Sequence, residues 1–232
     1  MYQFKAFKAT EEPDLCQQFK AGHVQVLIDY GIANVTTNND AWMQDDLVYG
    51  VVAIDTYTNQ LVGGIRVHIS NVSNQLPVEM AVGKMDPTIY KVVQLFRENG
   101  GAGELCALWN SKSVSGKGIS LLLTRAGISI INQLKFQTLM GICADYTLKM
   151  FQQVGFRVNE SLGLNGGFPY PNETYIAKVL GIMNAVTLET AMPEDKKRMT
   201  SLRIDPEQNA IENTPKGTIS IKYSLIINKN KG

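Results

Sequence analysis

The chain has 232 residues, enough for one domain with a substantial buried core, and 44% of them are hydrophobic against 19% charged. A net charge of +1 supplies no electrostatic attraction for nucleic acid or an anionic membrane surface. Cys16, Cys106 and Cys143 are an odd, widely spaced set without metal-ligand spacing, and no apolar run approaches a leader or a membrane span. A reduced, cytoplasmic protein without a bound metal is expected.

In chain order, Tyr2 to Phe7 predicts a strand. Thr10 is placed to cap a helix running to about Tyr30, with Glu11 and Glu12 in its first turn and Leu15, Phe19, Val26 and Leu27 inward. Leu47–Ile54 and Leu61–Ile69 are β-rich runs joined by turn residues 55–60, a hairpin. Residues 70–76 read as polar loop, and 86–97 as a helix ended by Asn99-Gly100-Gly101. A strand from about Glu104 to Asn110 follows. The amphipathic helix after Gly118 carries Ile119, Leu122, Leu123, Ala126, Ile130 and Leu134 at helical spacing. Then come a strand at 138–144, a short helix at 148–154, a strand opening at Gly155-Phe156, a Gly- and Pro-rich turn at 163–172 and a strand at 175–183. Residues 193–202 predict a charged helix, 205–217 a polar linker, and 218–227 a strand.

The segment from Gly103 to Ser120 carries the most chemistry. A half-buried strand leads through a polar turn into Gly116-x-Gly118 at a helix start. Amides of Val114, Ser115, Gly116, Lys117, Gly118 and Ile119 would converge there on a phosphate, with Lys112 and Lys117 adding mobile positive charge. A P-loop is excluded because no Lys-Ser/Thr follows Gly118. A dinucleotide fingerprint is excluded because its third glycine position holds Leu121 and the later acid position holds Thr138. Gly-x-Gly also opens many ordinary helices.

The order strand, Gly-x-Gly helix, strand, short helix, Gly155-Phe156, strand resembles the GNAT N-acyltransferase superfamily. That resemblance implies an α/β fold, a mixed sheet flanked by helices; two hairpin-like strands followed by a strand–helix–strand crossover predict that the sheet is antiparallel through its first four strands and parallel between the Glu104 and Thr138 strands. A C-terminal extension follows it. Ser113-x-x-Gly116-x-Gly118 would match the loop that cradles the pyrophosphate of coenzyme A, departing at Ser113, where Gln or Arg is usual. Residues 40–110 resemble the branch of acyl-homoserine-lactone synthases and N-acyl amino acid synthases. The string is Trp42, Asp46 and Tyr49, then Val51-Val52-Ala53-Ile54-Asp55, Val62-Gly63-Gly64-Ile65-Arg66 and Glu104. That branch carries Arg three residues after the Glu, where this chain has Ala107.

Acyl transfer from a thioester to an amine requires a base for the ammonium, donors for the oxyanion and tolerance of the leaving thiolate. The resemblance places the base at Glu104, whose alternative is a solvated or salt-bridged strand-end carboxylate. It also places the oxyanion donor at the Trp109 or Asn110 amide, although Asn110 equally suits a strand end. Strand alternation puts Glu104, Cys106, Leu108 and Asn110 on one face and Leu105, Ala107 and Trp109 on the other. Where GNAT enzymes often carry a Tyr as acid for the thiolate, this chain has Phe151. Tyr146, five residues earlier, would be about 140° off its helical face. Arg66 either clamps an acceptor carboxylate or pairs with Asp46 or Asp55. Trp42 either lines an acyl pocket or fills a helix–sheet seam. His68 and Cys106 read more readily as structural than as base and nucleophile.

The expected function is N-acyl transfer from acetyl-CoA, a longer acyl-CoA or acyl carrier protein to a primary amine, amino acids included. The competing reading is a GNAT-like module that binds acyl thioesters without turnover. Residues 1–183 form the expected acyltransferase unit. Residues 184–232 form an appendage that packs on the sheet edge or on a second subunit, the latter giving a homodimer.

Overall fold

A computed structural model describes residues 1–31 and 40–227. Tyr2–Lys8 forms β1, and Pro13–Asp29 forms α1. Thr10 does not cap this helix. Pro13 opens it, its φ preset and its missing amide one that a helix start leaves unused. Thr10 lies in the preceding short turn with Glu11, its hydroxyl donating to Asp46 at 3.0 Å, and Asp14 is the acid of the first helical turn.

Val48–Asp55 (β2) and Gln60–Ile69 (β3) form the predicted hairpin. The loop after β3 gives way to a short helix the pattern did not predict, Pro77–Val82 (α2), and then Thr88–Glu98 (α3). Ala102–Asn110 (β4), Ile119–Leu134 (α4), Thr138–Ala144 (β5) and Leu148–Gln153 (α5) follow in the expected order. Arg157–Val158 (β6) is only two residues long. The Gly-Pro turn contains a three-residue strand, Gly167–Pro169 (β7), before Ile176–Ile182 (β8) and Pro193–Ile204 (α6).

The predicted linker at 205–217 instead contains a strand, Asn209–Thr214 (β9), paired antiparallel with Gly217–Ser224 (β10). It is an edge strand whose one buried residue is Glu212, so it lacks the apolar alternation that marks half-buried strands. Glu212 accepts from Arg198 Nε at 2.5 Å and from the Tyr223 hydroxyl at 2.8 Å, and lies 3.7 Å from Arg125, which bonds Asp195 at 2.8 Å. Burial and Glu212 together push the Tyr223 phenol up. Four charges and a phenol thus fasten β9 to α4 and α6.

The ten strands among the described residues join one mixed sheet, ordered β6-β8-β5-β4-β3-β2-β1-β10-β9, with β7 also on β8. β1 through β4 are antiparallel neighbours, β4 and β5 are parallel, and β10 runs parallel to β1. The main core lies between the sheet and α4, where Ile119, Leu122, Leu123, Ala126 and Ile130 meet Val51, Ile65 and Leu105. Opposite, α1 covers a cluster around Phe19, Trp42 and Trp109, while α2 and α3 cover another around Leu76, Val93 and Met140. No helix among the described residues is long and apolar enough to cross a membrane.

Candidate active site

The parallel pairing of β4 with β5 covers only Ala102–Glu104 and Thr138–Met140. Beyond Glu104 the strands part. Cys106, Ala107 and Leu108 then line one wall of a cavity of about 220 Å³, and Ile142, Cys143 and Ala144 line the other. Strand edges that would otherwise bond each other face this cleft, leaving amides and carbonyls for an extended ligand.

β4 also breaks its own alternation. Cys106 pairs with Arg66 of β3 and Trp109 with Gly64, so Ala107 and Leu108 oppose the single residue Ile65. Ala107 has φ +49°, the mark of a β-bulge. The extra residue turns everything beyond it over. Trp109 therefore lies on the α1 side with its ring against Gly22, Gly64 and Phe19, while Leu108 joins the α4 core, the reverse of the expected faces. The Trp109 side chain is core, so any role it has with a ligand falls to its backbone. Asn110 accepts from the Ser120 hydroxyl and its amide nitrogen donates to the Ser111 carbonyl at 3.2 Å, tying the strand end to the first turn of α4.

Glu104 has no exposed surface, which removes the solvated strand-end alternative. Its Oε2 accepts the Val78 amide at 2.6 Å, at the start of α2, and its Oε1 has no partner. No cation lies within ion-pair distance of it among the described residues. Burial pushes its pKa up to about 8, against the Val78 amide and the Arg66 guanidinium, which favour the charged form. With that pKa the group holds its proton at neutral pH and becomes available as a base as the pH approaches 8.

A larger cavity of about 1020 Å³ lies on the same face, lined by Trp42, Arg66, His68, Glu79, Tyr90 and Arg97 among others. Pro77 of α2 borders both cavities. Arg66 is 2% exposed and meets neither Asp46 nor Asp55: Asp46 holds Lys8 at 2.7 Å, and Asp55 accepts the Tyr57 amide. Its guanidinium lies 4.4 Å from the Trp42 ring centroid, a cation–π stack, and its Nε is buried without a partner. His68 Nε2 is likewise buried and unpartnered, and burial beside Arg66 holds this imidazole well below its ordinary range, hence neutral. The Cys106 thiol, pushed up to about 12 by burial, stays protonated and is a poor nucleophile.

At the far end of β4, Gly116 (φ +75°) and Gly118 (φ +72°) adopt the left-handed conformation that side chains disfavour. Gly118 caps α4, whose first internal bond runs from the Leu122 amide to the Gly118 carbonyl at 3.2 Å. The amides of Gly118, Ile119, Ser120 and Leu121 therefore stand ahead of the helical ladder. Those of Val114, Ser115 and Lys117 already donate within the turns. The side chains of Val114 and Ile119 are buried. Lys112 and Lys117 already have partners: Lys112 pairs with Asp29 at 3.3 Å, and Lys117 donates to the Tyr2 hydroxyl at 3.1 Å. The β9–β10 turn adds a cation instead, Lys216 Nζ donating to the Ser115 carbonyl at 2.9 Å.

Sequence reasoning missed His23, Val78 and Glu79. The last two belong to α2, which was detectable: Pro77 stands at its first position and Glu79 at its third, where its carboxylate accepts the Leu76 amide at 2.7 Å. His23 carried no signal, because an isolated helical histidine is common. Burial holds it down to about 4.

No family model matches the chain, and no curated protein matches it by sequence. Solved structures do match. The N-acyl amino acid synthase FeeM from uncultured soil microbes superposes with a TM-score of 0.60 at 10% identity, over 85% of this chain and 98% of that one. A CoA-dependent acyl-homoserine lactone synthase, BjaI, solved with SAM and isopentyl-CoA, gives 0.55 at 13% identity over 89% and 91%. An acyl-CoA N-acyltransferase from Pseudomonas aeruginosa gives 0.52 at 11% identity over 78% and 99%. The fold is thus the mixed α/β fold of the GNAT acyltransferases, as the order of elements implied.

Proposed function

We propose that the protein is an N-acyltransferase that moves an acyl group from a CoA or acyl-carrier-protein thioester to the primary amine of a small acceptor, an amino acid among the candidates. The observation that carries this reading is Glu104: a wholly buried carboxylate without an ion-pair partner, in the wall of the cleft where β4 and β5 separate. The donor's phosphates are assigned to the α4 entrance, where two left-handed glycines expose amides and Lys216 lies alongside. Its thioester then enters the cleft, with the amide of Trp109 or Asn110 as the oxyanion donor. The acceptor is assigned to the larger cavity, its carboxylate to Arg66 over Trp42.

In this scheme Glu104 takes the ammonium proton, the free amine attacks the thioester carbonyl, and the thiolate departs as the adduct collapses. The absence of the branch's Arg, with Ala107 in its place, removes one guanidinium beside the cleft. The test is thiol release by purified protein with acetyl-CoA, a long-chain acyl-CoA and acyl carrier protein against a panel of amines. Amine-dependent release supports transfer. Donor binding by calorimetry without release with any amine leaves the thioester-binding module instead.

A further inference from the structure

Amide formation needs the amine held in place as well as deprotonated, its lone pair toward the thioester carbon and its N–H bonds directed elsewhere. Six buried side-chain atoms among the described residues have no hydrogen-bond partner: Arg66 Nε, His68 Nε2, Glu104 Oε1, Trp109 Nε1, Arg198 Nη2 and Arg203 Nε. Four of them belong to groups that only donate. The two left, His68 Nε2 and Glu104 Oε1, are able to accept, and they belong to residues directly opposite each other in the β3–β4 ladder. We infer that His68 accepts one N–H of the acceptor amine while Glu104 accepts another, so that the pair selects primary amines, an assignment that rests on the acyl-transfer reading above.

The strands set this placement. His68 pairs with Glu104 and Arg66 with Cys106, in the regular stretch of the ladder before the bulge at Ala107. Directly opposite residues share a face, with Cβ atoms about 4.5–5.5 Å apart. The two orphaned atoms do not bond each other. A nitrogen donating to both at about 2.9 Å spans a gap of about 5 Å. The pair also stands at the boundary the reaction needs. His68 lines the larger cavity, assigned to the acceptor, Glu104 lines the cleft, assigned to the thioester, and Pro77 borders both. Burial beside Arg66 keeps the imidazole neutral, so with its ring proton on Nδ1 the Nε2 lone pair is available. Other groups nearby are committed or unsuited. Glu79 accepts the Leu76 amide at 2.7 Å, and the Cys106 thiol stays protonated. His23, the chain's other histidine, lies on α1 with its ring beside Phe19, centroids 6.4 Å apart, and not on the strand pair that carries Glu104. An ammonium seated between the strands also favours the ionised form of Glu104, against the burial that raises its pKa.

His68 takes no proton in this scheme. It holds the N–H that persists in the product amide, while the protons the nitrogen loses go by way of Glu104. The test is His68→Phe, assayed on a primary amine and its N-methyl analogue, a secondary amine that puts a methyl group where His68 requires an N–H. Relative to the parent, kcat/KM for the primary amine should fall about 10- to 100-fold, the range for a lost hydrogen bond to a charged or reacting group. For the N-methyl amine it should stay within about threefold of the parent, because that hydrogen bond was never made. His68→Gln, whose side-chain oxygen reaches about as far as Nε2 and accepts, should restore most of the preference for the primary amine. His68→Asn, one bond shorter, should not, and this pair decides the matter if His68→Phe does not fold. CoA affinity by calorimetry should be unchanged in each. Equal losses on both amines, as a packing role or a bridging water would give, or no loss on the primary amine, overturn the assignment while leaving acyl transfer standing. A parent that releases no thiol with any amine overturns the acyl-transfer reading itself, and this assignment with it.

Discussion

The Val78 amide donates to Glu104 Oε2 at 2.6 Å, joining the first turn of α2 to the buried carboxylate of β4. Among the described residues this one amide is the hydrogen bond to a group that burial has raised to about 8, and its other oxygen is unpaired. Such a carboxylate is costly to ionise and correspondingly ready to accept a proton.

Glu104→Gln should keep donor affinity and lower the rate of amine-dependent thiol release by about 10² to 10⁴. In the parent the rate should climb with pH until about 8, where Glu104 loses its proton. The variant's defect should narrow at higher pH as free amine accumulates. Initial rates across pH 6 to 10 decide it; equal activity at every pH would remove Glu104 from the mechanism.

The same raised pKa has a stability consequence. Glu104 is neutral in both folded and unfolded protein below about 4.5, and its folded pKa is the higher of the two. The folded protein therefore binds the extra proton between about 4.5 and 8, and stability is lost as pH rises through that window. Glu104→Gln lacks this loss, so its Tm relative to the parent should increase from pH 5 to pH 8. A Tm difference independent of pH, measured by calorimetric scans, would contradict the burial account.

Gly118→Val should weaken coenzyme A binding at least tenfold and also cost stability. Valine is strained at φ +72°, and its Cβ would sit 3.2 Å from Thr214 Cβ in the β9–β10 hairpin. Forcing a branched side chain into that region costs about 1–2 kcal/mol. Gly118→Asn, which tolerates the backbone conformation, should recover most of the stability while still crowding the phosphate. Calorimetric affinity equal to the parent in a folded Gly118→Val protein would take the donor away from this loop.

Arg66→Met should raise KM for acceptors bearing a carboxylate about 10- to 100-fold, the usual range for a lost charge-assisted bond. Amines without the carboxylate should be used about as before. Steady-state kinetics on matched pairs, an amino acid and its decarboxylated amine, separate this from a general loss of fold. Equal losses on both members would make Arg66 structural.

Glu212→Ala should destabilise the whole chain by about 3–5 kcal/mol, because it leaves the Arg198 and Arg125 guanidiniums facing a buried gap. Urea unfolding followed by fluorescence and by circular dichroism should give coincident transitions. A loss under about 1 kcal/mol would show that β9 is held by its backbone pairing alone.

Hydrophobic period and turn chemistry sufficed for β1 to β5, α1, α3, α4 and the Gly116-x-Gly118 entrance, because those elements bury apolar stripes whose spacing is written locally. Thr10 and β9 escaped for opposite reasons: Pro13 supplies the helix start that Thr10 was read to supply, and β9 buries a glutamate where a strand is recognised by apolar residues. The residue types of the candidate site were also legible, Glu104 and Arg66 among them. Their arrangement was not. One bulge at Ala107 places Trp109 in the α1 core, the parting of β4 from β5 makes the cleft, and the β3–β4 register sets His68 opposite Glu104. Local sequence specifies which face of an element is apolar. Where an extra residue reverses that face, or two strands cease to pair, the outcome depends on contacts between distant segments, and only the assembled sheet decides it.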